Sequence, residues 1–150
     1  MDKNKTIVAL SIYAIAMAIV EAAVVIYLRE LYYPAGFFIN SAASLKIIPQ
    51  KILRIELWRE GATIIMIAAV AFIAFRDVRK KISAFFFIFS VWDLGYYLFL
   101  FLFSHWPSSL STIDIYFLIP APWIGPVWLP LILFIIVAAI SLKSLLKNKI

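Results

Sequence analysis

Cysteine is absent from this chain. With it go disulfides, thiolate nucleophiles, haem c attachment and thiolate metal sites, so a four-helix membrane redox protein built on Cys-x-x-Cys is excluded. Histidine occurs once, at position 105, and the Glu-x-x-His pairs of bundle di-iron sites are missing. No phosphate loop, metal motif or activated nucleophile can be found. The net charge of +6 carries no basic stripe with interleaved aromatics, which argues against nucleic acid as a partner. Internal repeats are lacking too, because Arg29-Glu30 and Arg59-Glu60 share a dipeptide in unlike surroundings.

What the chain has in abundance is apolar surface. Of its 150 residues 65% are hydrophobic, well above the usage of water-soluble domains, so the expected solvent is a lipid bilayer. The start, MDKNK before an apolar run, resembles a signal peptide with Ala14-Ile15-Ala16 as a cleavage site. The run continues to Leu28, however, and 23 residues from Thr6 are enough to span, so it is read as the first transmembrane helix. The clean stretch from Gly61 to Phe75 is too short to span alone and must recruit Ile52 to Glu60 with their charges. Ile82 to Ser104 forms a third helix with Asp93 near its middle, and Val127 to Leu142 a fourth, with Pro130 tolerated in its first turn. The seven phenylalanines between 85 and 103 are read as mostly facing lipid. The expected fold is all-α: one membrane domain, a four-transmembrane-helix bundle with helices at about 6–28, 52–75, 82–104 and 127–142.

Nine Lys and Arg fall on one side: Lys3, Lys5, Arg76, Arg79, Lys80, Lys81, Lys143, Lys147 and Lys149. The other side has five in its first connection and none between His105 and Pro126, so the positive-inside rule places both termini in the cytoplasm. Two of those five, Arg29 and Arg59, stand beside acids and read as members of ion pairs. The two outer connections, YYPAGFFINSAASLKIIPQK and HWPSSLSTIDIYFLIPAPWIGP, are long and apolar. They are expected to cap the non-cytoplasmic side, with Trp106, Tyr116, Trp123 and Trp128 at headgroup level. Pro120, Pro122 and Pro126 bar a regular helix there.

Helical spacing puts Glu21, Glu60 and Tyr97 at one depth, roughly 22 to 24 Å above the cytoplasmic boundary at 1.5 Å per residue. Asp93 falls about one turn deeper and Glu56 about one turn shallower. Charges inside a bilayer are costly, so these groups should face the bundle interior, with Arg59 neutralising one carboxylate by a bidentate pair. The remaining acids require protonation, a bound cation or a water-filled opening. The candidate ligand-binding residues are therefore Glu21, Arg59, Glu60, Asp93, Tyr96 and Tyr97, with at least one of the two tyrosines bonding a carboxylate. Glu21, Glu56, Glu60 and Asp93 form an all-oxygen candidate set for a divalent cation such as Mg²⁺, Ca²⁺ or Mn²⁺. Glu30 and Glu56 can also be plain interfacial acids, Asp114 a turn or capping residue, and His105 a polar interface residue.

The stretches EAAVVIYLRELYYP, RIELWREGATIIM and VWDLGYY, with HWPSSLSTIDIYFLIPAPWIGP, resemble a family of uncharacterised small bacterial four-helix integral membrane proteins. The resemblance covers most of the chain. It implies the four-span fold and a bacterial or archaeal cytoplasmic membrane, and it brings no activity. The matching positions are Glu21, Arg29, Glu56, Arg59, Glu60, Trp92, Asp93, Tyr96, Tyr97, Asp114 and the Pro-Trp cap. The family pattern has glycine where this chain has His105.

Three functions fit these residues. The first is a binding or transport-type protein holding a cation or small polar ligand in an outer-leaflet pocket. The second is a membrane enzyme acting on a lipid-like substrate, with Asp93 or Glu60 as acid or base and Arg59 holding an anionic group. The third is a structural subunit, alone as a homo-oligomer or within a membrane complex, whose charges lock the helices together.

Overall fold

The computed structural model describes residues 3–147. Four helices carry the chain: α1 (Lys3–Tyr32), α2 (Gln50–Ala74), α3 (Val78–Ser104) and α4 (Trp128–Leu146). A short 3-10 helix, Ala42–Ile47, lies between α1 and α2, and strands β1 (Ile113–Phe117) and β2 (Trp123–Pro126) lie between α3 and α4. All four helices are long and apolar enough to cross a membrane. Each expected span is matched by a helix; five of the eight ends lie two to four residues further out, the end of α3 is unchanged, and α2 ends and α4 begins one residue inside the expected bound. α2 does include Ile52 to Glu60, so the acids and the arginine of that segment are helical. Lys149, counted with the cytoplasmic charges, lies outside the described residues.

The all-α expectation needs one correction, because β1 and β2 pair as an antiparallel hairpin. Its register sets Ile113 opposite Pro126, Asp114 opposite Gly125 and Ile115 opposite Ile124, with an irregularity before Phe117 meets Trp123. β1 reads Ile-Asp-Ile-Tyr-Phe, β-branched and aromatic residues that suit a pleated strand. The prolines that forbid a helix fall in the turn and at the end of β2, where a missing N–H costs the ladder nothing. Gly125 is needed because the Tyr116 ring fills the space where a Cβ would stand, and the Tyr116 hydroxyl donates to the Pro126 carbonyl at 2.7 Å.

α3 is the hub, packed on α1, α2 and α4, while the backbones of α1 and α2 hardly approach one another. The α1–α3 contact is a seam of small residues: Ala14, Ala18 and Ala22 are fully buried, and Gly95 leaves no room for a Cβ against Ala18. Lys3 Nζ donates to the Leu146 carbonyl, the Ser83 and Ser144 hydroxyls bond at 2.7 Å, and Lys81 Nζ lies 3.4 Å from the centre of the Phe72 ring. These contacts gather the start of α1 and α3 and the end of α2 and α4 at one end of the bundle. α1 and α3 therefore run parallel.

Caps follow local chemistry. Asp77 accepts from the backbone N–H of Arg79 and Lys80 at the start of α3, and His105 ends that helix in the left-handed region at φ 54°. The phenylalanines of α3 divide differently from the lipid-facing expectation. Phe86, Phe101 and Phe103 are exposed, whereas Phe87 is buried and Phe85, Phe89 and Phe99 are half-buried. Phe89 sits between Trp92, Phe117 of the hairpin and Phe134 of α4, with ring centres 5.3 to 5.5 Å away. That aromatic layer fastens the hairpin onto the end of the bundle opposite the chain termini.

Candidate functional site

The site forms beneath the hairpin, between the C-terminal halves of α1 and α3 and the N-terminal half of α2. Arg59 is its first organiser. Its guanidinium forks onto Glu21 of α1, with Nη2 donating to Oε1 at 2.9 Å and Nη1 to Oε2. Nε also donates to Glu56 at 2.8 Å, one turn earlier on α2. The bidentate pair expected of Arg59 is present, and a second carboxylate shares the same cation. Glu56 is buried, not a solvated interfacial acid, and the triad is the main bridge between two helices whose backbones stay apart.

Glu60 looks the other way. Both of its oxygens accept from the backbone N–H of Leu118, at 3.1 and 2.9 Å, which pins the turn of the hairpin to α2. Asp114 is the second organiser, and its reading as a turn or capping residue needs correcting. It is 1% exposed, in the middle of β1, where Arg29 Nη2 donates to Oδ1 at 3.0 Å and the Tyr97 hydroxyl donates to Oδ2 at 3.1 Å. The expected tyrosine–carboxylate bond is therefore made, by Tyr97. The Arg29 guanidinium lies between the faces of Phe37 and Trp106, each ring centre 3.9 Å away. Trp106 is thus turned onto Arg29. Burial pushes the Asp114 carboxyl up from its ordinary value, against the pull of Arg29, the Ile115 N–H and Tyr97. Tyr116 is pushed up to about 12, by burial first and then by the negative charge of Asp114 and Asp93.

Between these two arginine clusters is a cavity of about 120 Å³. Glu21, Arg59, Glu60, Asp93 and Tyr96 line it, together with Arg29, Glu56, Trp92 and Asp114; Tyr97 stands behind the wall, engaged by Asp114. Aromatic walls come from Tyr33, Phe37, Tyr116 and Phe117, and an aliphatic side from Val25, Leu28, Leu45, Ile48 and Leu53. Two guanidiniums face five carboxyl groups. Asp93 is 6% exposed and its Oδ2 has no hydrogen-bond partner among the described residues; the same holds for Trp92 Nε1 and for Arg29 Nε and Nη1. Natural interiors leave few such atoms, and here all four belong to residues lining one cavity.

Among the described residues no three acids or histidines are placed to hold a metal ion. The reason is visible in the divalent-cation set: Glu21 and Glu56 are engaged by Arg59, Glu60 by the Leu118 amide, and Asp93 stands apart. His105 is exposed at the end of α3, its ring against Phe101. Arg29 does belong to an ion pair, as its charge suggested, but its partner is Asp114, and neither residue stood among the candidate binding residues. The available signal was the unbroken apolar setting of Asp114 between isoleucines, which leaves a carboxylate no turn to cap. Comparison with known proteins returns no matching family model, curated protein or solved structure.

Proposed function

We propose that this chain is an integral membrane protein with four spanning helices and both termini in the cytoplasm, and that the cavity beneath the hairpin binds a small polar or cationic ligand. The Asp93 carboxyl carries the reading. It lies in the apolar middle of α3, its Oδ2 is buried without a partner, and both nearby guanidiniums are engaged by other acids. An ionised carboxyl in such a place needs a positive or hydrogen-bonding partner that the chain does not supply. The unpartnered carboxyl of Asp93, when ionised, selects for positive charge, and the aromatic walls suit an organic cation as well as an inorganic one.

Membrane residence is supported by the four apolar helices and by the belt of exposed Ile12, Val20, Ile65, Ile73 and Ile140 around them. Sidedness follows from the clustering of Lys and Arg at the end carrying the termini. The test is a thermal-shift series on detergent-purified protein with ethanolamine, methylamine, Na⁺ and Mg²⁺. Stabilisation by at least one probe, abolished by Asp93→Asn, is the expected result. A flat response from all probes, with the variant equally stable, would overturn the reading.

A further inference from the structure

The four partnerless atoms have opposite needs, and together they describe one molecule. Arg29 Nε, Arg29 Nη1 and Trp92 Nε1 are donors that require acceptors, whereas Asp93 Oδ2, when ionised, requires a donor. The three residues that carry these atoms line one cavity at different levels. Gly95 of α3 abuts Ala18 of α1, and these helices run parallel. Arg29 is eleven residues beyond Ala18 and Asp93 two before Gly95, so their Cα levels differ by about 20 Å at 1.5 Å per residue. Helical side chains lean toward the N-terminus, and the long Arg29 side chain reaches back down to β1, where it meets Asp114. The two groups therefore belong to different levels of the cavity, and one molecule carrying both a hydrogen-bond donor and an oxyanion can serve both.

We infer that the cavity takes a zwitterion whose protonated primary or secondary amine donates to Asp93 and whose phosphate-type oxyanion accepts from Arg29, with Trp92 bonding an oxygen between them. The inference rests on the ligand-binding reading above and adds the ligand's chemistry. The charged ends are matched by position: acids crowd the Asp93 end, and the Arg29 guanidinium keeps two nitrogens, Nε and Nη1, beyond the Nη2 given to Asp114. Val25 and Leu28 of α1 and Leu53 of α2 line the cavity from the two helices whose backbones stay apart. These side chains would accommodate hydrocarbon, so the zwitterion can be a free solute or the headgroup of an aminophospholipid.

The experiment uses the full chain, in detergent for soluble probes and in nanodiscs for lipid. Phosphoethanolamine, phosphocholine, ethanolamine and inorganic phosphate are titrated by calorimetry. Phosphatidylethanolamine and phosphatidylcholine are compared by lipid retention and native mass spectrometry. Phosphoethanolamine or its lipid is expected to bind about tenfold or more tighter than its choline counterpart, which lacks the N–H, the difference one charge-assisted hydrogen bond makes. Arg29→Lys, which keeps the charge opposite Asp114, and Asp93→Asn should each lose a comparable factor. Binding of the soluble probe assigns a free solute, and binding of the lipid alone assigns the bilayer as source; both support the inference. Ethanolamine binding as tightly as phosphoethanolamine would leave a cation site and overturn the zwitterion. Equal binding of the choline forms would overturn donation to Asp93. No binding in any arm would remove the zwitterion and, together with a flat cation series, the ligand site as well.

Discussion

Arg59 holds two carboxylates and Arg29 one, and the difference decides what each substitution does. Arg59→Gln leaves Glu21 and Glu56 buried without a counter-charge, and breaking a buried pair from one side costs about 3 kcal/mol. Chemical denaturation in detergent should register that loss, and combining Arg59→Gln with Glu21→Gln and Glu56→Gln should recover most of it, since no unpaired charge then remains. Asp114 responds to pH. Burial raises its folded pKa above the ordinary 3.8, so the folded protein keeps a proton that the unfolded chain has released. Its contribution to stability is full below about pH 4 and is lost as pH rises through the folded value. The thermal midpoint of the native chain should therefore fall over that window relative to Asp114→Asn, which is less stable throughout but flatter; parallel profiles would refute the assignment. At the other extreme of burial, His105 holds an exposed left-handed cap. His105→Gly removes the Cβ conflict and should stabilise α3 by about 0.5 to 1 kcal/mol.

At the scale of elements, two glycines in equivalent helical settings make opposite forecasts. A Cβ on Gly95 would stand 2.7 Å from the Ala18 Cβ, a contact that α1 and α3 can relieve only by separating, whereas on Gly61 it would meet only the Ile119 side chain at 3.9 Å. Gly95→Ala should cost about 1 to 3 kcal/mol through overpacking, and Gly61→Ala should be neutral or stabilising by up to about 1 kcal/mol through helix propensity. Equal effects in a thermal melt would mean that the seam is not close-packed. The same elements explain what could be read from the sequence. Spans were legible because an apolar run of bilayer length has few other uses, and Glu21, Arg59, Glu60 and Asp93 were legible because charge in such a run is conspicuous. The hairpin was not, since the prolines that rule out a helix do not say which extended form replaces it. The pairing of Asp114 with Arg29 was lost with it. It spans 85 residues and depends on β1 folding back over α1, a long-range event that local periodicity cannot encode. The misassigned phenylalanines have the same cause: the partners of Phe89 are on the hairpin and on α4.

For the whole molecule, sidedness and site location are one question. If the end with Lys3, Lys81 and Lys143 is cytoplasmic, the cavity beneath the hairpin opens toward the other side, and its ligand comes from there or from that leaflet. The chain offers a clean assay, because it has no native cysteine to remove. Single cysteines at Ser109, in the exposed segment before β1, and at Lys147, after α4, should behave oppositely toward a membrane-impermeant maleimide. In intact cells or spheroplasts the first should react and the second only after permeabilisation. A third, replacing exposed Val78 at the start of α3, should follow Lys147, since a four-span chain returns to its starting side there. Reaction of the second and third from outside, with protection of the first, would invert the molecule and bring the ligand from the cytoplasm. Protection of the first and third together would mean that α3, which they flank, does not cross, and Asp93 would then lie at the membrane surface, where water alone could satisfy it.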